Sequence, residues 1–395
     1  MKSQTDVDTA VPNLTPWFRR WGSLLTTTAL VVGTVSVFAR GHDGGGGDEQ
    51  QHGDRDRENG DDYRQVNLVS DQAGVAVLQD TNLVNAWGIS FSSTSPFWVS
   101  ANGTGKALLY SVTNHDGMTV VTKLGLEVTI PGDGTPTGQV FNQSSGFNGD
   151  AFLFVSEDGT ISGWRQALGS AAEVLTNRST AVYKGVTLAM GASGTVLLAA
   201  NFAEATLDEY DTNTTLIQQF SDPKAPSGYA PFNVQSLDGM VFVTFAKQDS
   251  AKHDDVAGPG NGLIDVFNPK TGAFHRLATG TDAGGTLRAI NSPWGLAIAP
   301  GSFGRHANEL LVGNFGSGTI MAFDDRGGFR GLLQGVDEHP LVIDGLWGLT
   351  FGNGGRAGTP DRLFFSAGPD GEGHGLFGRI SPTDEDRNGH HHRGG

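Results

Sequence analysis

Short apolar runs alternate with glycine-rich and polar turns along most of the chain, and one pattern of runs returns six times. Each unit opens with a run, in five of the six beside a glycine, in which apolar and polar positions alternate, the signature of a half-buried strand. These opening runs are Trp87–Phe91, Gly138–Phe141, Gly185–Leu188, Phe232–Gln235, Trp294–Ile298 and Trp347–Phe351. Second runs of four or five apolar residues start at Phe97, Leu153, Val196, Val241, Leu310 and Leu363. Third runs start at Ala107, Thr160, Thr206, Leu263, Thr319 and Gly375.

Repeats of short strands in units of about 50 residues predict a β-propeller, an all-β fold with one sheet per unit. A four-stranded blade cannot cover both of its faces alone, so each packs on its neighbours and the phrase must recur once per blade. Outer strands are less regular, as in "VTKLGLEVTI" from Val121 and "AFHRLATG" from Ala273. The sixth unit has three strands before the chain leaves it near Pro382, while "YRQVNLVS" from Tyr63 precedes the first unit without a partner. The prediction is that this segment becomes the outer strand of blade six, closing the ring and removing an exposed edge.

The six-bladed propeller therefore occupies residues 63–382, and the flanks read differently. Residues 1–39 carry Arg19 and Arg20 before an apolar run from Trp21 to Ala39 that ends Val37-Phe38-Ala39, the pattern of a cleaved export signal. An uncleaved anchor is the alternative, because the run approaches the length a bilayer requires. Gly22 stands where the twin-arginine route wants a bulky apolar residue. Residues 40–62 contain no apolar side chain and read as a disordered acidic, glycine-rich linker, as does the tail 383–395 with His390, His391 and His392. The expected location is outside the cytoplasm, secreted or periplasmic, with membrane attachment only if the signal is retained.

Composition narrows the function classes. The chain of 395 residues has no cysteine, 59 glycines and a formal charge of -16, which excludes a disulfide framework or cysteine zinc site and disfavours nucleic acid as a partner. There is no serine nucleophile elbow, HExxH helix or phosphate-binding glycine loop.

The segments "APFNVQ" from Ala230, "FAKQDSAKHDDVAGPGNGLIDVFNP" from Phe245, "NSPWGLAIAP" from Asn291, "LLVGNFGSGTIMAFD" from Leu310, "VIDGLWGLTFGNG" from Val342 and "FFSAGPDGEGHGLFG" from Phe364 carry a resemblance. They resemble an uncharacterised family of exported bacterial β-propellers, some with a PEP-CTERM sorting tail that this chain lacks. The resemblance implies export and the propeller fold, and no activity. More distantly, the repeat is similar to NHL-type repeats and to gluconolactonase and regucalcin propellers, which hold a divalent metal in the channel. No residue here matches a lactonase metal motif, so that likeness stays at the level of fold.

Candidate chemistry lies where second strands end, on the face where first strands begin. Asn102, Asp158, Asn201 and Asn314 are the candidate ligand-binding residues there; oxygen ligands converging from four blades suit a hard cation such as calcium, while the same residue types also favour turns. Two loops on this face are longer than a turn needs. "KQDSAKHDDVAGPGNG" from Lys247 offers Asp249, Lys252, His253, Asp254 and Asp255, and "GPDGEGHG" from Gly368 offers Asp370, Glu372 and His374. Asp249, Asp254, Asp255, Asp370 and Glu372 are candidate metal ligands, Lys252 a candidate ligand contact, and His253 and His374 candidate bases or metal ligands. Trp87, Trp294 and Trp347, each before a glycine, read as aromatic wedges in the packing. The leading function is a module binding a small molecule, glycan or protein at this face. A calcium-type metal-dependent hydrolase or lyase is the alternative, and a structural cell-surface protein the third.

Overall fold

In the computed structural model, residues 62–115, 118–281 and 289–383 are described. The expected signal, linker and most of the tail lie outside them. Among the described residues, no helix is long and apolar enough to cross a membrane.

The strands form six small sheets arranged as a six-bladed β-propeller. From the axis outward, blade one is Ala86–Ser90, Phe97–Ala101, Lys106–His115 and Met118–Thr129, and blade two is Pro136–Phe141, Phe152–Ser156, Thr160–Trp164 and Glu173–Asn177. Blade three is Tyr183–Gly191, Gly194–Asn201, Thr206–Tyr210 and Leu216–Phe220, and blade four is Tyr229–Leu237, Met240–Lys247, Gly262–Asn268 and Ala273–Thr279. Blade five is Pro293–Ile298, Leu310–Asn314, Ile320–Phe323 and Phe329–Leu332. Blade six takes Leu346–Phe351, Leu363–Ala367 and Leu376–Pro382 from the end of the chain, then Tyr63–Ser70 from its beginning.

The closing strand runs antiparallel to the last one, with Tyr63 opposite Pro382 and Ser70 opposite Leu376. Tyr63 is buried and its hydroxyl donates to the Phe303 carbonyl at 3.0 Å, tying the closure to blade five. A two-residue strand, Leu78–Gln79, adds a parallel fifth member that the sequence pattern does not reveal.

Pairing of the two innermost strands slips at one place in every blade. The shifts fall between Ala86 and Ile89, Pro136 and Gln139, Tyr183 and Gly185, Pro231 and Asn233, Pro293 and Leu296, and Leu346 and Leu349. A bulge re-aims the side chain it releases. The residues so released are Trp87, Thr137, Lys184, Phe232, Trp294 and Trp347, one per blade. Where glycine follows, neighbouring inner strands come close: a Cβ at Gly88 would lie 2.5 Å from the Thr137 carbonyl oxygen.

Four of the six released side chains are aromatic, and they meet on the axis rather than wedging between blades. Trp87 stacks on Trp347 at 3.8 Å, and Trp347 stacks on Phe315 at 3.9 Å. Phe232 reaches Trp347 across the ring at 5.8 Å, and the Trp294 indole N–H donates to the Lys184 carbonyl, also across the ring, at 3.1 Å. With Phe202 they form one buried cluster that plugs the channel.

Candidate functional site

The plug is the floor of the mouth toward which inner strands begin and second strands end, called the top face below. One of its six floor positions is cationic. Lys184 stands where blades one, five and six place tryptophan, and it is the only fully buried lysine among the described residues. Its ammonium lies 5.2 Å from the Trp87 ring centroid, within cation–π range.

The residue that follows the partner of the last inner-strand residue before each slip supplies a second ring: Asn102, Glu157, Phe202, Ala246, Phe315 and Gly368. Blades three to five thus contribute apolar groups, and blades one and two contribute Asn102 and Glu157. Lys184 Nζ bonds Glu157 Oε1 and reaches Asp254 Oδ1 at 3.1 Å, and Asp254 in turn meets His253 Nδ1 at 3.0 Å.

A chain of amides continues the network. The Trp347 indole N–H donates to Asn85 Oδ1 at 3.0 Å, and Asn85 Nδ2 donates to Glu372 Oε2 at 2.6 Å and Asn102 Oδ1 at 3.3 Å. Asn102 Nδ2 donates to Glu157 Oε2 at 3.1 Å. Asn85 and Glu372 hold left-handed backbone conformations, φ 48° and 68°, so both are fixed at some cost in strain.

Burial is the largest influence on Lys184 and disfavours its charge, yet Glu157 and Asp254 outweigh it and hold the ammonium above the usual lysine value. Burial likewise acts hardest on Asp254, where Lys184 and His253 prevail and the carboxyl is lowered. Burial wins at Glu372, whose carboxyl is raised against the pull of Asn85 and Lys184. Asn85 and Asn102 link Glu372 to Glu157, and Lys184 links Glu157 to Asp254, so the blade-four and blade-six loops face one mouth.

The structure brings together Asn102, His253, Asp254 and Glu372 from the expected set and separates the rest. Asn201 and Asn314 each stand one residue before the ring, and a strand turns alternate side chains to opposite faces. Both are buried in turn bonding: Asn201 donates to Asp208 Oδ2 at 3.0 Å, and Asn314 Oδ1 accepts the Asn291 N–H at 3.0 Å. Asp158 stands one residue past the ring and accepts the backbone N–H groups of Asp133 and Thr160. All three follow the turn-forming reading of their residue types.

Asp249 shapes its own loop by accepting the His253 backbone N–H at 2.9 Å, and Lys252 is exposed at the tip with φ 59°. Asp255 is turned inward; burial raises its carboxyl, and Oδ2 has no hydrogen-bond partner among the described residues. Asp370 is exposed, and His374 Nδ1 bonds Asp71 Oδ2 at 2.8 Å beside the closing strand. The two histidines thus have different carboxylate partners, Asp254 for His253 and Asp71 for His374.

As a resident calcium centre the mouth fits poorly. Ligand atoms of Glu157, His253 and Asp254 lie within 4.8 Å of one another, but calcium takes six to eight oxygens, and the Lys184 ammonium already sits against both carboxylates. The chain's own cation occupies the centre of the carboxylate group.

Sequence reasoning missed Lys184, Glu157 and Asn85. The signal for Lys184 was present, since "YKGVTL" from Tyr183 writes lysine before the glycine where "AWG", "PWG" and "LWG" write tryptophan.

Comparison with known proteins adds relatives without an activity. The chain is 29% identical over 336 residues to uncharacterized protein L690 of Acanthamoeba polyphaga mimivirus, covering 79% of this chain and 84% of that one. Uncharacterized protein R648 of the same virus is 29% identical over 336 residues, covering 79% and 78%. No protein-family model matches. Among solved structures, virginiamycin B lyase from Staphylococcus aureus aligns over 81% of this chain and 99% of its own at 14% identity and TM-score 0.44. The Neurospora crassa Pan2 WD40 domain aligns over 82% and 97% at 11% identity and TM-score 0.45. Likeness at that level carries no functional argument; the propeller is read from the sheets themselves. The relatives are viral and bear on neither export nor a bacterial origin.

Proposed function

We propose that the protein is a binding module that seats a small, donor-rich ligand, an amine or a polyol, on the top mouth of the channel. One observation carries the reading: Glu157 and Asp254 from blades two and four bond Lys184 of blade three, and Asn102 and Glu372 from blades one and six extend the network, at a floor position that four of the other five blades fill with an aromatic. A buried ion pair stabilises little compared with an apolar replacement of similar volume, so packing alone does not call for one here. Glu157, Asp254 and Glu372 present acceptors, Asn102 completes the rim, Lys184 holds Glu157 and Asp254 in place, and Asn85 holds Glu372. A thermal-shift screen of amines and sugars tests this, with a chelator present throughout. Hits that survive the chelator and are lost in Asp254→Asn support the reading, and hits indifferent to Asp254 contradict it.

A metal-dependent hydrolase or lyase is the second reading, favoured by the closeness of Glu157, His253 and Asp254. It requires the Lys184 ammonium to yield its place. Elemental mass spectrometry of the purified chain decides it, because a stoichiometric metal lost with Asp254→Asn would replace the first reading. Export outside the cytoplasm belongs to the proposal on the strength of the Trp21–Ala39 run alone.

A further inference from the structure

The opposite face of the propeller holds two joined cavities of different character. Below the plug the channel opens into a cavity of ≈ 280 Å³ with Trp294 in its wall. Its polar lining includes Ser90, Gln139, Thr187, Asn233, Gln235 and Thr350, and among the described residues no charged one contributes. Ser90 Oγ and Gln139 Oε1 are buried in that wall without a hydrogen-bond partner among the described residues.

A groove of ≈ 770 Å³ crosses blades two to four and shares Val140, Phe141, Gln143, Thr187 and Ser236 with the channel cavity. Beyond the shared wall its apolar lining is Leu188, Ala189, Met190, Val241 and Pro269, with Ser144, Thr195 and Asn268 as polar neighbours. Met190 is 60% exposed. Among the described residues, the only charge lining either cavity is the exposed Lys270. The groove has the size of a small-molecule site.

We infer that this face is a second binding site, distinct from the top mouth, for a neutral amphiphile with an uncharged hydrogen-bonding head and an apolar body. The head enters the channel and the body lies along the groove. Charge complementarity selects the head. A wall of amides and hydroxyls bonds a hydroxylated head, whereas an ionised head would lose its water with no countercharge in the channel. The apolar body follows from the groove wall, whose exposed Met190 adapts to varied shapes.

The test is isothermal titration of the full chain with n-octyl β-D-glucoside below its micelle concentration, alongside octanoate and glucose. The glucoside should bind once per chain, at least about tenfold more tightly than octanoate, because the channel offers no partner for a carboxylate. Met190→Glu and Gln143→Trp, both at exposed positions, should each weaken it by a similar factor. Equal binding of octanoate and glucoside, undiminished binding in Met190→Glu, or no saturable binding of the glucoside would each overturn the inference. The wild-type comparison of the two octyl probes stands even if a variant fails to fold.

Discussion

Trp87 and Trp347 belong to the first and last blades and stack on the propeller axis with ring centroids 3.8 Å apart. The contact joins distant parts of the chain, seals the channel and, through the Trp347 indole, fixes Asn85 at the mouth.

Trp347→Ala should lose about 3–5 kcal/mol of unfolding free energy, the usual cost of emptying a large buried aromatic site. It should also release Asn85, and with it Glu372. Denaturant unfolding measures the first effect, and the carboxyl titration of Glu372 by NMR the second. A loss under about 1 kcal/mol would mean that the plug is not part of the core.

Lys184→Met should destabilise the chain by about 3 kcal/mol, because it strands Glu157 as a buried, uncompensated charge. The double variant Lys184→Met/Glu157→Gln should recover most of that loss. Equal losses in the single and double variants would show that Glu157 is not the partner that matters.

The blade count and inner strands were legible because every blade repeats the same bulge, so the same residue types recur at the same place. Ring closure was legible because "YRQVNLVS" had no local partner. The site was harder to read, since a displacement of one residue decides which way a strand side chain points. Asn201 and Asn314 fall one residue short of the ring and Asp158 one beyond it, while Asn102 falls on it. Lys184 was hidden because its partners come from blades two and four, and no local pattern records that Glu157 and Asp254 both bond it.

Glu372→Gln should stabilise the protein at neutral pH by about 0.5–2 kcal/mol, with a loss of ligand binding as the counterpart. The folded-state carboxyl is raised by burial, so folding favours its protonated form. The wild type therefore loses stability as pH rises from the unfolded value through the raised folded one, and the variant does not. The two melting curves should converge in acid below the unfolded glutamate value. A difference that persists there would assign the effect to something other than this proton.

Removing residues 1–70 takes away the outer strand of blade six together with the Tyr63 hydroxyl contact to Phe303. The truncated chain should associate through the edge of Leu376–Pro382, an open strand being a template for pairing. Light scattering against the full chain reads this out. A truncated chain that stays monomeric with an unchanged melting temperature would show that the closure is dispensable.

The central claim is that the top mouth binds a donor-rich ligand around a fixed ammonium, without a metal. Ligand-observed NMR with pooled amines and polyols, run on the wild type and on Asp254→Asn in the presence of EDTA, tests it most directly. The account predicts saturable wild-type binders that survive EDTA and disappear in Asp254→Asn. Binders abolished by EDTA, or binders that Asp254→Asn leaves untouched, would contradict it.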